Sequence, residues 1–240
     1  MSTLVIREFD NPFLKIIEEI FLEKYGYENK LDELHSLLDT QYISVNDKEY
    51  HKNLHEWRKD RDSVFVKNFH EYVDKHTKFN ETYYKFLRNK ILPVFPGETK
   101  IVVQKTPNIR FSLPENAAIG YDTSDPEGIV GLHCDRDFGH HPTEQNFIIP
   151  ITKMFDSNSV YYEPYVKSNI TPEKYENLVL NENQFVQGYF NEIKHCNRIN
   201  KTGKTRISFD VRVIPYSEYK KSENDFKGTK FELGKYYIVL

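Results

Sequence analysis

The feature that most constrains this fold is a change of hydrophobic period at Pro93-Val94-Phe95-Pro96-Gly97. Before it, apolar residues recur at helical spacing: Phe13, Ile16, Ile17, Ile20 and Phe21 share one face, with Asn11 and Pro12 as a start signal and Gly26 as a stop. Further helices are expected over about 31–39, 47–60, 63–76 and 80–91. After it the period falls to two. Val103, Ile109, Phe111 and Leu113 alternate with Gln104, Asn108, Arg110 and Ser112, and Ile207, Phe209, Val211 and Val213 alternate with Arg206, Ser208, Asp210 and Arg212. These segments read as half-buried strands. Helices first and strands second predict an α+β protein with a mainly β core, a sandwich or jelly roll (cupin-like) carrying an N-terminal helical layer. We expect a single domain over residues 1–240, with the helical layer at about 1–95 and the β core at about 98–240.

Charge narrows the partners. Lys+Arg number 33 and Asp+Glu 36, a formal charge of −3, so no overall basic field points to nucleic acid or to an anionic membrane surface. A small-molecule substrate fits that balance. The start MSTLVIREFDNPF lacks a basic stretch followed by an apolar one, and no run reaches the length of a membrane span, so a cytoplasmic location is expected. The two cysteines, Cys134 and Cys196, read as reduced thiols rather than a disulfide framework. Oligomeric state leaves no mark on the sequence.

Three polar groups in the second half carry chemistry: His133-Cys134-Asp135, His195, and Arg206 with Ser208. A His-x-Asp/Glu match is expected roughly once by chance in this composition, so the motif alone has no weight. Its placement matters more. On a strand, His133 and Asp135 face one way and Cys134 the other, and Gly128 and Gly131 upstream allow close backbone approach. Two histidines and a carboxylate can occupy one face of an octahedral Fe(II), leaving the opposite face for a co-substrate and dioxygen. Arg206 and Ser208, two apart on a strand, can cradle a carboxylate, because the guanidinium offers two parallel donors and the hydroxyl a third. The bland reading is a solvated sheet face bearing Arg206 and Arg212.

His133, Asp135, His195, Arg206 and Ser208 together resemble the HxD…H…RxS pattern of the Fe(II)/2-oxoglutarate-dependent oxygenases. The stretches GLHCDRDFGHHPTEQNFIIPIT and FNEIKHCNRINKTGKTRISFDVRVIP look closer still to the branch of streptomycin-biosynthesis oxygenase-like proteins, through His141, Glu144, Asn146, Phe147, Asn197, Asn200, Thr202, Gly203 and Thr205. Cys196 departs from a glycine expected there. The resemblance covers about residues 100–240. It implies a double-stranded β-helix core, Fe(II) held by His133, Asp135 and His195, and 2-oxoglutarate held by Arg206 and Ser208. It also implies O2-dependent hydroxylation of a small polar metabolite, of the sugar, sugar-nucleotide or antibiotic-intermediate class, with release of succinate and CO2. Retention of the Asp135 carboxylate points away from halogenation. An amino-acid hydroxylase of the same superfamily and a non-catalytic β-sandwich binding protein are the alternatives.

Around this set, Asn108, Arg110, His141, Glu144, Asn146 and Asn197 are candidate pocket residues. Of the neighbours His140 and His141 at most one should reach the ion. His51 and His55 have zinc-like spacing, but Lys52 stands where the glutamate of an HExxH motif would be, and a solvated helix face is favoured. The segment from Asp156 to Gln187, with Tyr161, Tyr162, Tyr165, Pro164 and Pro172, reads as an ordered loop that either closes over the site or packs on the N-terminal helices. FELGKYYIVL reads as a final strand entered through a turn at Gly234.

Overall fold

The computed structural model describes residues 4–52, 63–115, 130–164 and 170–240. Strand β1 (Leu4–Glu8) comes first, followed by helix α1 (Phe13–Tyr25), whose buried stripe is the predicted Phe13, Ile16, Ile17, Ile20 and Phe21. The Asn11 side chain accepts the Phe13 N–H at 3.0 Å, and Gly26 ends the helix at φ 62°, a left-handed conformation that glycine adopts without steric cost. Leu31–Asp39 is a 3-10 helix rather than an α-helix. Then follow α2 (Val45–Lys52), α3 (Val64–Lys75), capped by Ser63 accepting the Val66 N–H at 3.2 Å, and α4 (Thr77–Phe86). The chain runs on through a π turn at Leu87–Ile91 into a 3-10 turn at Leu92–Val94. Residues 53–60 of the expected 47–60 helix lie outside the described residues.

The β region comprises β2 (Ile101–Gln104), β3 (Asn108–Ser112), β4 (Val130–His133), β5 (Gln145–Pro150), β6 (Tyr161–Tyr162), β7 (Glu176–Asn177), β8 (Gln184–Gly188), β9 (His195–Asn197), β10 (Arg206–Pro215) and β11 (Tyr237–Val239), with α5 (Tyr216–Phe226) between the last two. Seven strands form one sheet in the order β1-β8-β5-β10-β2-β11, with β3 also paired to β10. Four form a second, β4-β9-β6-β7. Every strand pair in both is antiparallel.

β10 is the spine. It pairs with β5 on one side and successively with β3 and β2 on the other. Its apolar face (Ile207, Phe209, Val211, Val213) packs with Phe147, Ile149 and Phe185 against α1, α3 and α4 in one core. Its polar face is not solvated, as a half-buried strand would be: Arg206, Ser208 and Arg212 are all buried, because that face looks onto the smaller sheet. Ile148 and Val186 on the inner side pack with Leu178, Leu180, Phe190 and Ile193. Phe209 lies at the centre of the outer core, its ring 5.4 Å from Phe13 and 5.6 Å from both Phe69 and Phe79. Phe209→Ala is therefore expected to cost about 3–5 kcal/mol of unfolding free energy by urea denaturation; a loss under about 1 kcal/mol would show that the helical layer is not packed on this face.

Two elements differ from the sequence expectation. β1 lies inside the segment expected to be only helical, pairing with β8 at the sheet edge, where Val5 and Ile6 stay 42 % and 50 % exposed. α5 interrupts the expected all-β second half; it buries only Tyr219 and Phe226, against Val102, Ile214 and Tyr237. The tail forms β11, as expected, beyond Gly234 at φ 86°, and it pairs with β2 at the other end of the large sheet.

Candidate metal centre

His133 ends β4 and His195 begins β9, and the two are direct partners across that antiparallel pair, with ring centroids 4.3 Å apart. Asp135 is not on the strand as predicted. It opens a 3-10 turn, Asp135–Phe138, which the Asp135 N–H anchors to the Phe190 carbonyl at 3.0 Å. Cys134 between them remains extended (φ −106°, ψ 148°), so His133 and Asp135 still emerge side by side. The Cys134 thiol turns away to the Glu192 carbonyl at 3.6 Å, and Cys196 packs with Tyr161 and Tyr175. Neither sulfur belongs to the donor group.

That group is His133, Asp135 and His195, whose donor atoms lie within 4.8 Å of one another. Each histidine presents Nδ1 to a backbone carbonyl, His133 to Gly131 and His195 to Ile193 at 3.0 Å. An Nδ1–H bonded in this way leaves the Nε2 lone pair bare, the tautomer a metal requires. Both Nε2 atoms converge on Asp135 Oδ1, at 3.4 and 3.7 Å. Donors in adjacent positions about 2.1 Å from a shared ion sit about 3 Å apart, so a small inward adjustment completes the set. Asp135 Oδ2 is engaged from behind, accepting from Asn146 Nδ2 at 2.6 Å and Arg212 Nη2 at 3.2 Å.

Electrostatics favour a cation here. Burial pushes the Asp135 carboxyl up, but the Arg212 guanidinium, the neighbouring His133 and His195 rings and the bond from Asn146 together hold it well below the usual carboxylate range. Asp135 thus stays an anion although it is only 2 % exposed. Burial also lowers the His195 pKa. For His133, burial is outweighed by the hydrogen bonds to Asp135 and Gly131, and the pKa is raised.

The group opens into a cavity between the two sheets. Arg206, 2 % exposed, and Ser208 line its wall. Both terminal nitrogens of Arg206 lie 3.5 Å from Asn197 Oδ1, and Arg110 pairs directly across from Ser208 in the β3–β10 register. Ile148, Val160 and Phe190 supply apolar wall. The arrangement can take a small acid, its carboxylate on the arginine and its other end at the three donors.

Of the other candidate pocket residues, Arg110, Asn146 and Asn197 line the cavity, whereas Asn108, His141 and Glu144 do not. His141 turns into the α5 contact, its Nε2 2.7 Å from Ser222 Oγ and its ring stacked on Phe226. Glu144 is buried behind Arg212, and Asn108 sits opposite Asp210 in register but outside the lining. Asp210 and Arg212 do line it and were passed over, although they continue the Arg206/Ser208 face at the same two-residue step. Much of the Asp156–Gln187 segment is neither a lid nor packed on the N-terminal helices. It builds β6, β7 and β8, with Tyr161 under the Arg198 guanidinium at 4.2 Å and Tyr162 donating to Glu176 at 3.1 Å. His55, Gly128 and Tyr165 lie outside the described residues, and with His55 the His51 pairing.

No family model matches the chain. It is 30 % identical over 142 residues to the streptomycin biosynthesis protein StrG of Streptomyces griseus, a match covering 57 % of this chain and 59 % of that protein. Among solved structures, EvdO2 from Micromonospora carbonacea var. aurantiaca aligns with a TM-score of 0.47 at 10 % identity, over 88 % of this chain and 86 % of its own. A non-heme monooxygenase, the ThoJ–Ni complex, aligns at 0.43 and 12 % identity, over 89 % and 74 %. The chain thus spans about three-fifths of the length of the curated relative it matches.

Proposed function

We propose that this protein is a mononuclear non-haem iron oxygenase that uses 2-oxoglutarate as co-substrate and hydroxylates a small polar metabolite. The observation that carries the reading is the convergence of two imidazole Nε2 atoms on one carboxylate oxygen, inside a cavity that also holds a buried arginine and a serine. The two antiparallel sheets under a helical layer are read as a double-stranded β-helix. The relative's role in streptomycin biosynthesis supports a sugar, sugar-nucleotide or antibiotic-type substrate.

In this reading His133, Asp135 and His195 hold the ion through one face. Iron bound there would couple decarboxylation of 2-oxoglutarate by O2, giving succinate and CO2, to insertion of one oxygen atom into a substrate C–H bond. Arg206 receives the distal carboxylate through two parallel N–H donors, Ser208 adds a hydroxyl, and Asn197 steadies the guanidinium plane. Ile148, Val160 and Phe190 give the cavity apolar wall, which strengthens ionic contacts made inside it. Asp135 fills the carboxylate position, so no place is left there for a halide.

Anaerobic titration of the metal-free protein with Fe(II) and 2-oxoglutarate tests this directly. The weak visible charge-transfer band of the chelate is expected to appear; a silent spectrum, with no iron retained by elemental analysis, would overturn the reading. Metal should also stabilise the fold. A divalent ion at about 100 times its Kd adds about 2.7 kcal/mol, which for a chain of this size raises Tm by roughly 5–10 °C, and EDTA should reverse the rise in a thermal-denaturation assay.

A further inference from the structure

Behind the metal-facing carboxylate lies a buried polar cluster that neither the ligand set nor the arginine cradle accounts for. Arg212 is its centre. Nη2 lies 3.2 Å from Asp135 Oδ2, Nη1 3.2 Å from Asp210 Oδ2 and Nε 3.2 Å from Glu144 Oε1, and Nη1 also donates to the Tyr236 hydroxyl at 3.3 Å. Glu144, fully buried, accepts the Tyr237 O–H and lies 3.1 Å from His140 Nδ1. Three carboxylates therefore share one guanidinium.

Asp135 has two oxygens, and the structure treats them differently. Oδ1 faces the two imidazoles, while Oδ2 is tied down by Arg212 and Asn146. The fork of Arg212 is held in turn by Asp210 on its own strand and by Glu144, whose place is fixed from β11 by Tyr237. We infer that Arg212 is the positioning residue for the metal-ligating carboxylate: it occupies Oδ2 and fixes the carboxylate plane, so that Asp135 offers the ion Oδ1 alone. This rests on the metal-centre reading above. It adds that single-oxygen ligation is imposed from β10 and β11, keeping open a position that a freed Oδ2 would contest with the co-substrate.

Co(II) serves as the probe, because its visible absorption reports coordination number without any turnover. Wild type, Arg212→Met, Arg212→Lys and Glu144→Gln would be compared by calorimetric titration and by the Co(II) spectrum, with circular dichroism as the check on folding. Arg212→Met is expected to weaken Co(II) binding by about 10–100-fold, the range for partners that orient a ligand, and to alter the spectrum. Arg212→Lys keeps the charge but not the planar fork, so it should recover part of the affinity and leave the spectrum altered. Glu144→Gln, nearly isosteric, should shift both readouts in the same direction by a smaller amount and covers the case in which Arg212→Met does not fold. Wild-type affinity and spectrum in Arg212→Met, or in Glu144→Gln if that variant alone folds, would overturn the inference while leaving the metal centre intact. Absence of Co(II) binding by the wild type would overturn both.

Discussion

His195→Ala should lose metal binding altogether in the working concentration range, and all 2-oxoglutarate turnover with it. The ring supplies one of three donors, and its Nδ1 bond to Ile193 already fixes the tautomer that donates through Nε2. Removing a ligand must cost more than removing a group that merely orients one, so the drop in affinity should exceed ~100-fold. The fold should survive. β9 keeps its pairing with β4 and β6, Cys196 still packs with Tyr161 and Tyr175, and the lost ring contacts lie mainly in the cavity. Titration calorimetry with Mn(II) or Co(II) on wild type and variant, beside far-ultraviolet circular dichroism, decides the matter. A folded variant that still binds the ion as wild type does would remove His195 from the ligand set.

The second large effect is expected from Arg206→Ala and should be confined to the co-substrate. The guanidinium is buried on β10, held towards Asn197, and lines the cavity on the same strand face as Asp210 and Arg212 further along. Truncating one partner of a buried charged pair costs about 2–5 kcal/mol, which weakens 2-oxoglutarate by between about 30-fold and a few thousand-fold. Metal affinity measured without 2-oxoglutarate should change little, because the three donors are His133, Asp135 and His195. Arg206→Lys should restore only part of the loss, since a single ammonium cannot reproduce two parallel donors. The charge-transfer band titrated against co-substrate at saturating Fe(II) reads this out. An unshifted midpoint in Arg206→Ala would place the carboxylate elsewhere, with Arg110 the next residue to change.

What could be read from the sequence follows from where periodicity was clean. The alternation of Ile207, Phe209, Val211 and Val213 with Arg206, Ser208, Asp210 and Arg212 correctly announced a strand with two unlike faces, and the apolar face does pack on the predicted helices. The fate of the other face could not be read, because an arginine row looks the same whether it meets water or a second sheet. That ambiguity hid Arg212: its three carboxylate partners come from positions 135, 144 and 210, and only the folded chain brings the first two beside it. β1 was missed because a five-residue edge strand with exposed Val5 and Ile6 has no buried period to detect. α5 was missed because two buried rings seven residues apart, among charged neighbours, are too sparse a stripe. His141 was placed in the pocket by resemblance, but the chain carries it under α5, an element that had not been foreseen.

The double use of β10 limits how this protein can change. One ten-residue segment supplies the centre of the helix-facing core with its odd-numbered residues and much of the cavity wall with its even-numbered ones. Inserting or deleting one residue within it would turn Phe209's neighbours toward the cavity and the arginines toward the phenylalanines, disrupting the core and the cavity wall in a single step. Variation in what the cavity accepts must therefore come by point replacement on the even-numbered face or from the connections between strands. Length changes belong to the loops alone.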